Sequence, residues 1–194
     1  MKAATLNSAG ESAADRLLDA TLRSIHLHGL HGTTVTTVAQ LSGLSRGMVR
    51  HEFGSKNAMV VAAMRRLCAG WVATTEPDPT LSAVEQVRWI VRAMFAPDVF
   101  TPVAVDAWLS FTVAARSDAE LCEVRSATQD RWLRQLEKAF AGCGVSSPTS
   151  AANAVLAAAD GLWLRQRVDE QQMSRVEAES TVLAVAEALL ATTR

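Results

Sequence analysis

The chain has 194 residues, 49% apolar and 20% charged, the balance of a globular protein with enough interior for a real core. No apolar run reaches the roughly 18 residues that a membrane helix needs. The opening "MKAATLNSAGESAADR" has no apolar leader centre, so a cytoplasmic protein with no membrane partner is expected. The net charge of −1 hides an asymmetry: residues 1–75 hold eight Lys/Arg against four Asp/Glu, and residues 76–194 hold eleven against sixteen. All four histidines lie in the first part. A basic head on an acidic body points to a polyanion partner for the head alone.

Residues 12–28 place Ala14, Leu17, Leu18, Thr21, Leu22 and Ile25 at helical spacing, and Gly29 is expected to stop that helix. His26 and His28 are two residues apart and point to different faces, which is poor metal geometry. Thr36 or Thr34 can cap a short second helix bearing Val38, Ala39 and Leu41. Gly43 allows a sharp turn. Ser45 then caps a third helix of about two turns, with Met48 and Val49 available for the inside. Gly54 and Ser55 end it, and a fourth helix runs from about Lys56 to Trp71.

The stretch "TTEPDPT" at 74–80 holds two prolines and two acids and is the expected linker, dividing the chain into 1–75 and 76–194. Helical periods resume over 81–96, stop at Pro97, and return over about 102–116. Asp118 caps a run to about 140, with Leu121, Val124, Thr128, Trp132, Leu136 and Phe140 along one stripe. "AGCGVSSPTS" breaks it. An Ala-rich helix follows from about 149 to 168. "SRVE" at 174–177 has the form of a capping box and opens a last helix to about 192. An all-α protein of about nine helices results.

No His lies beyond residue 51, no metal-ligand spacing appears, and "AGCGVSS" has no strand before it, as a phosphate loop would. Cys68, Cys122 and Cys143 are far apart and odd in number, which indicates neither a disulfide framework nor a zinc site. No enzyme, cofactor or metal is expected.

Two short helices joined by a three-residue turn containing Gly form a helix-turn-helix arrangement. Ala39 lets the helices approach, while Leu44 and Val49 fill the angle between them. The rest of the third helix has nothing apolar to hide, so it can enter a DNA major groove about 12 Å wide. The alternative is a helical corner with a solvated basic face, in an interaction module that binds no DNA.

"TTVAQLSGLSRGMVRHEFGSKNAMVVAAM" resembles the DNA-binding head of the TetR family, whose pattern is met by Val38, Ala39, Gly43, Leu44, Ser45, Gly47, Val49, Phe53 and Lys56. "AVDAWLSFTVAAR" at 104–116 and "AAADGLWLRQ" at 157–166 look like the ligand domain of BetI-type choline-responsive repressors. The resemblance implies a homodimer on a pseudo-palindromic double-stranded DNA operator, with the last two helices of each subunit at the interface. The Ala-rich helix fits that role, and fits an ordinary buried helix equally. Contact with DNA is expected from Thr34, Thr36, Ser45, Arg46, Met48, Arg50, His51 and Lys56. Relatives often carry Tyr or His where Arg50 and Glu52 stand. Tyr is absent here, so a phosphate contact made by a phenol there must come from Arg50, His51 or Lys56, with Glu52 pointing elsewhere.

In the body, Trp108 and Phe111 share one helix face, and Asp160 and Trp163 share another. If these faces converge with Trp89, an aromatic wall meets a carboxylate, a box suited to a small-molecule effector of the quaternary ammonium kind. The other reading of such tryptophans is plain core. A regulator of the same family that senses an apolar drug or a lipid-like ligand is the alternative.

Overall fold

A computed structural model describes residues 12–168 and 173–192, and the backbone alone of residues 72–75. The N-terminal stretch read for a leader lies mostly outside the described residues. Among these residues there are nine α-helices and no strand. They are α1 (Ala13–Gly32), α2 (Val35–Ser42), α3 (Arg46–Phe53), α4 (Lys56–Thr75), α5 (Ala83–Met94), α6 (Pro102–Ala114), α7 (Ala119–Gly142), α8 (Pro148–Val168) and α9 (Arg175–Leu190). Among the described residues no helix is long and apolar enough to cross a membrane.

By its internal contacts the chain forms two units, Met1–Ala63 and Met64–Arg194. The division falls inside α4, and the sequence-expected boundary at 75/76 falls at the end of the same helix. The segment after α4 is closed by its own side chains. The Asp78 carboxylate accepts hydrogen bonds from the Thr80 amide at 2.8 Å and from its hydroxyl at 2.7 Å. These bonds favour the charged form and lower the Asp78 pKa.

Most helices begin at a side chain that satisfies otherwise orphaned amides. Ser12 with Asp15, Thr34 with Thr37, Ser82 with Glu85, and Ser174 with Glu177 form reciprocal capping boxes. Of the two candidate caps for α2, Thr34 is the one used. Gly29 interrupts the helical path of α1 at φ 67° and ψ 173°, so the expected stop is a break, with residues 30–32 continuing beyond it.

In the head, α1, α2, α3 and the start of α4 enclose one small core. Leu17 and Ala20 of α1 meet Val38 and Ala39 of α2, Val49 of α3 and Met59 of α4. Leu44 and Phe53 close its rim as half-buried residues. Deleting one such buried side chain typically costs about 2–5 kcal/mol, a large part of any domain's stability.

The body is a helical layer structure in which α7 packs on α5, α6 and α8, while α9 packs on α5 and α8. Its largest fully buried side chains include Ile90, Met94, Phe95, Phe111, Leu121, Leu136 and Phe140. The α5–α9 seam is tied by Arg88 to Glu187 at 2.6 Å. Arg175 donates to the Phe95 carbonyl at 3.1 Å, where α5 ends.

The α2–α3 turn depends on Gly43, which has φ 70° and ψ 19°, in the left-handed region that a Cβ disfavours by about 1–2 kcal/mol. Space is not the obstacle, since a Cβ there would meet the Arg16 guanidinium only at 3.6 Å. Gly43→Ala is therefore expected to destabilise the head by about 1–2 kcal/mol through backbone strain alone. Urea denaturation followed at head-specific amides by NMR measures it; an unchanged midpoint would contradict the strain argument.

Candidate nucleic-acid interface and aromatic cluster

The third helix is eight residues long and buries only Val49. It is held mainly by its ends. At the N-terminus the Ser45 hydroxyl accepts the Met48 amide at 3.1 Å. At the C-terminus the Gly54 amide donates to the Arg50 carbonyl at 2.9 Å. The preceding turn is clamped from α1. Arg16 donates to the Ser42 carbonyl at 2.7 Å, and Arg23 to the Leu41 carbonyl at 2.9 Å. Both use carbonyls that the end of α2 would otherwise leave unpaired.

Arg46, Gly47, Met48, Arg50, His51 and Glu52 are all exposed on α3. Met48 is 40% exposed, so it does not join the head core as its apolar character suggested; Val49 takes the inward position instead. An open hollow of about 540 Å³ lies in the angle between α2 and α3, lined by Thr36, Gln40, Gly43, Leu44 and Arg46. Thr36 is exposed, whereas the Thr34 hydroxyl is engaged in its cap. Lys56 donates to the His31 carbonyl at 3.2 Å, keeping its ammonium at the edge of this surface. Of the DNA-contact candidates, all but Thr34 and Ser45 are therefore free of a capping role.

Gly47 is a further candidate. A Cβ there would meet only the Ser45 hydroxyl at 3.6 Å, an ordinary contact. The fold gains nothing from a residue that costs a helix about 0.5–1 kcal/mol relative to Ala. Its presence in the sequence pattern was visible, but its lack of any internal reason was not.

In the body, four tryptophans from four helices meet. Trp71 of α4 lies edge-on to Trp108 of α6 at 5.1 Å and to Trp163 of α8 at 5.0 Å, and stacks on Trp132 of α7 at 5.7 Å. Phe100 meets Trp163 at 5.6 Å. All four indoles are 2–4% exposed. Of the residues expected in a ligand box, Trp108 and Trp163 are brought together, and Phe111 is buried one turn from Trp108. Trp89 lies apart, 45% exposed on α5. Asp160 faces a separate pocket of about 220 Å³ between α7 and α8, with Asp130, Leu133 and Leu156. Part of that residue is open to solvent, yet desolvation raises its carboxyl pKa, with nearby Arg125 opposing. Trp71 and Trp132 were not expected to join these rings, because they enter from helices assigned to other roles.

An exposed, capped second helix of a helix-turn-helix, joined to a body with a buried aromatic cluster, defines a DNA-binding transcription regulator. Comparison with known proteins makes this specific. Residues 17–63 match the N-terminal domain of bacterial regulatory proteins of the tetR family. Residues 83–191 match the C-terminal domain of BetI-type transcriptional repressors. The HTH-type transcriptional regulator BetI of Burkholderia ambifaria is 35% identical over 158 residues, which is 77% of this chain and 79% of that one. The chain belongs to the TetR family of transcriptional regulators, with a BetI-type C-terminal domain. Two solved structures share the fold. A transcriptional regulator from Rhodococcus has TM-score 0.83 and 22% identity, covering 93% of this chain and 97% of that one. A regulator from Saccharomonospora viridis, solved in complex with choline, has TM-score 0.80 and 19% identity, covering 90% and 95%.

The cysteines differ sharply around this cluster. Cys68 is buried one turn before Trp71, and its thiol is pushed up to about 11 by desolvation, against a lowering hydrogen bond with Thr128. Cys122 is exposed. The thiolate is the reactive form, so iodoacetamide at pH 8 is expected to label Cys122 fully while Cys68 stays unmodified in the folded protein. Peptide mass spectrometry checks this; equal labelling would show that the α4–α7 seam opens readily.

Proposed function

We propose that this chain is a homodimeric repressor that leaves a pseudo-palindromic operator when a choline-like quaternary ammonium cation enters its body. The observation that carries the effector reading is the convergence of Trp71, Trp108, Trp132 and Trp163. Ring faces attract a cation, by about 2 kcal/mol or more per contact in a desolvated site, and a quaternary ammonium has no N–H that would need a hydrogen-bond acceptor there. Trp108, Trp163 and the neighbouring Phe111 belong to the expected box. Asp160 and Trp89 stand outside this wall.

For the dimer, the support is an unusual outer surface on the last two helices. Leu164, Val168 and Val176 are 52%, 67% and 63% exposed, beside the exposed small residues Ala154, Ala157, Ala184 and Ala188. A second copy would cover them isologously. Two recognition helices would then read half-sites about one turn of DNA apart.

On DNA, α3 enters the major groove. Arg46, at its first turn, reads a base edge, while Arg50, His51 and Lys56 meet phosphates. Thr34, Thr36, Ser45 and Met48 flank that contact. Gly47 allows the backbone to lie close against the duplex.

The switch follows from linkage. A ligand that prefers the conformer with wrongly spaced heads must lower DNA affinity by the same factor by which DNA lowers its own. The transmitter is α4, which carries Met59 in the head core and Trp71 in the aromatic cluster.

Two measurements test these roles. In gel-shift titration, Arg46→Ala is expected to weaken operator binding about tenfold or more, matching about 1–3 kcal/mol for a good base contact. Gly47→Ala should raise head stability by about 0.5–1 kcal/mol and still weaken DNA binding. Operator affinity unchanged in both variants would remove α3 from the groove.

Choline and betaine aldehyde are expected to quench the tryptophan fluorescence of the full-length protein and to release operator DNA. Trp163→Ala should weaken that binding about tenfold or more, since 1.4 kcal/mol is a factor of ten. Quenching by apolar drugs or fatty acids, with none by any quaternary ammonium, would replace the cation by an apolar or lipid-like effector.

A further inference from the structure

Beside the tryptophans, an open groove of about 380 Å³ runs between α4 and α7. Arg65 lines it from α4, and Arg131 and Arg134 from α7, against the single carboxylate of Glu123. Arg131 and Arg134 belong to the net-acidic residues 76–194, and Arg65 to the net-basic residues before them. Arg65 and Arg134 have no ion-pair partner among the described residues. Arg131 pairs with Glu76 through one terminal nitrogen, yet its Nε is buried with no hydrogen-bond partner. A buried donor left unpaired is uncommon and calls for an acceptor.

The groove and the aromatic cluster share their framework. Cys68 and Thr128 both line the groove. Cys68 stands one turn before Trp71 on α4, and Thr128 one turn before Trp132 on α7. Those two indoles stack on each other. The groove floor is thus about one helical turn, roughly 5 Å, from the indole pair. That is the scale of a short organic molecule carrying a positive group at one end and a negative group at the other.

We propose that this groove holds an anionic group of the effector, a carboxylate or phosphate, gripped by Arg65, Arg131 and Arg134, so that the effector is a zwitterion rather than a simple cation. The assignment rests on the reading of the tryptophans as a quaternary ammonium site. Guanidinium groups offer paired, charge-assisted donors to either oxyanion. Choline has a hydroxyl at that end and offers Arg65 and Arg134 no anionic partner.

The test uses the full-length protein in three forms: unchanged, Arg65→Gln with Arg134→Gln, and Arg116→Gln as a charge control away from the groove. Each is titrated calorimetrically with choline, glycine betaine, phosphocholine and methyl phosphate, after circular dichroism has established that all three fold. At least one zwitterion is expected to bind tenfold or more tighter than choline, and which of the two does so separates carboxylate from phosphate. That advantage should vanish in the double variant with choline affinity unchanged, and persist in Arg116→Gln. Equal affinity for choline and both zwitterions, or an advantage that survives the double substitution, overturns the proposal. If no quaternary ammonium binds at all, the reading of the tryptophans falls. In that case methyl phosphate binding that is lost in the double variant still supports the groove as an anion site, and its absence overturns that too.

Discussion

The head depends on a helix that cannot support itself. Eight residues are too few to be stable as an isolated helix in water, and α3 contributes one fully buried side chain, Val49, to a core. Its position is imposed from outside. The Leu44 amide donates to the Ala39 carbonyl at 3.2 Å and to the Ser42 hydroxyl at 3.3 Å. The Ser42 hydroxyl in turn donates to the Ala39 carbonyl at 3.1 Å. Arg16 and Arg23 hold the Ser42 and Leu41 carbonyls, the last two of α2, where the turn begins. The angle between α2 and α3 is therefore set by a closed set of hydrogen bonds around Gly43. This leaves the outward face of α3 unencumbered, which is what a groove-reading element requires.

Those contacts explain why the head was legible in the sequence. Gly43, Ser45, Gly54, Thr34 and Val49 act over three to five residues, and their chemistry is local: a left-handed turn, hydroxyl caps, one inward side chain. Helix ends in the body were legible for the same reason, as the Asp118 cap and the Ser174–Glu177 pair illustrate. The clamps from Arg16 and Arg23 were not, because they span 26 and 18 residues and nothing in a helix face announces which distant carbonyl an arginine will reach.

The aromatic cluster shows the opposite limit. Spacing of three or four residues identifies side chains that share a helix face, and Trp108 with Phe111 did so. It does not say which faces turn toward each other. Trp89 and Trp163 look alike in a pattern of apolar residues, yet one is exposed on α5 and the other is buried against Trp71. Asp160 stands three residues from Trp163, about 60° away around the helix axis at 100° per residue. That offset is enough to place the carboxyl on the α7 side while the indole turns inward. Trp71 is the centre of the cluster and touches three other indoles.

This geometry also bears on why a sensor would use rings rather than a buried carboxylate. An unpaired ionised carboxylate in the interior is costly when the site is empty and shifts its pKa to avoid that cost, as the raised Asp160 illustrates at the margin. Indoles carry no charge and so no such penalty, and here they pack on one another. The edge-on contacts of Trp71 with Trp108 and Trp163 contribute about 0.5–1.5 kcal/mol each beyond their buried area. A cation entering among them exchanges ring–ring contacts for cation–ring contacts of similar size, about 2 kcal/mol. In the proposed mechanism the filled and empty arrangements are then close in energy but different in shape. Two packed states of comparable stability are what a ligand can bias, and with Trp71 on α4 the difference begins on the helix whose first turns build the core beneath the recognition helix.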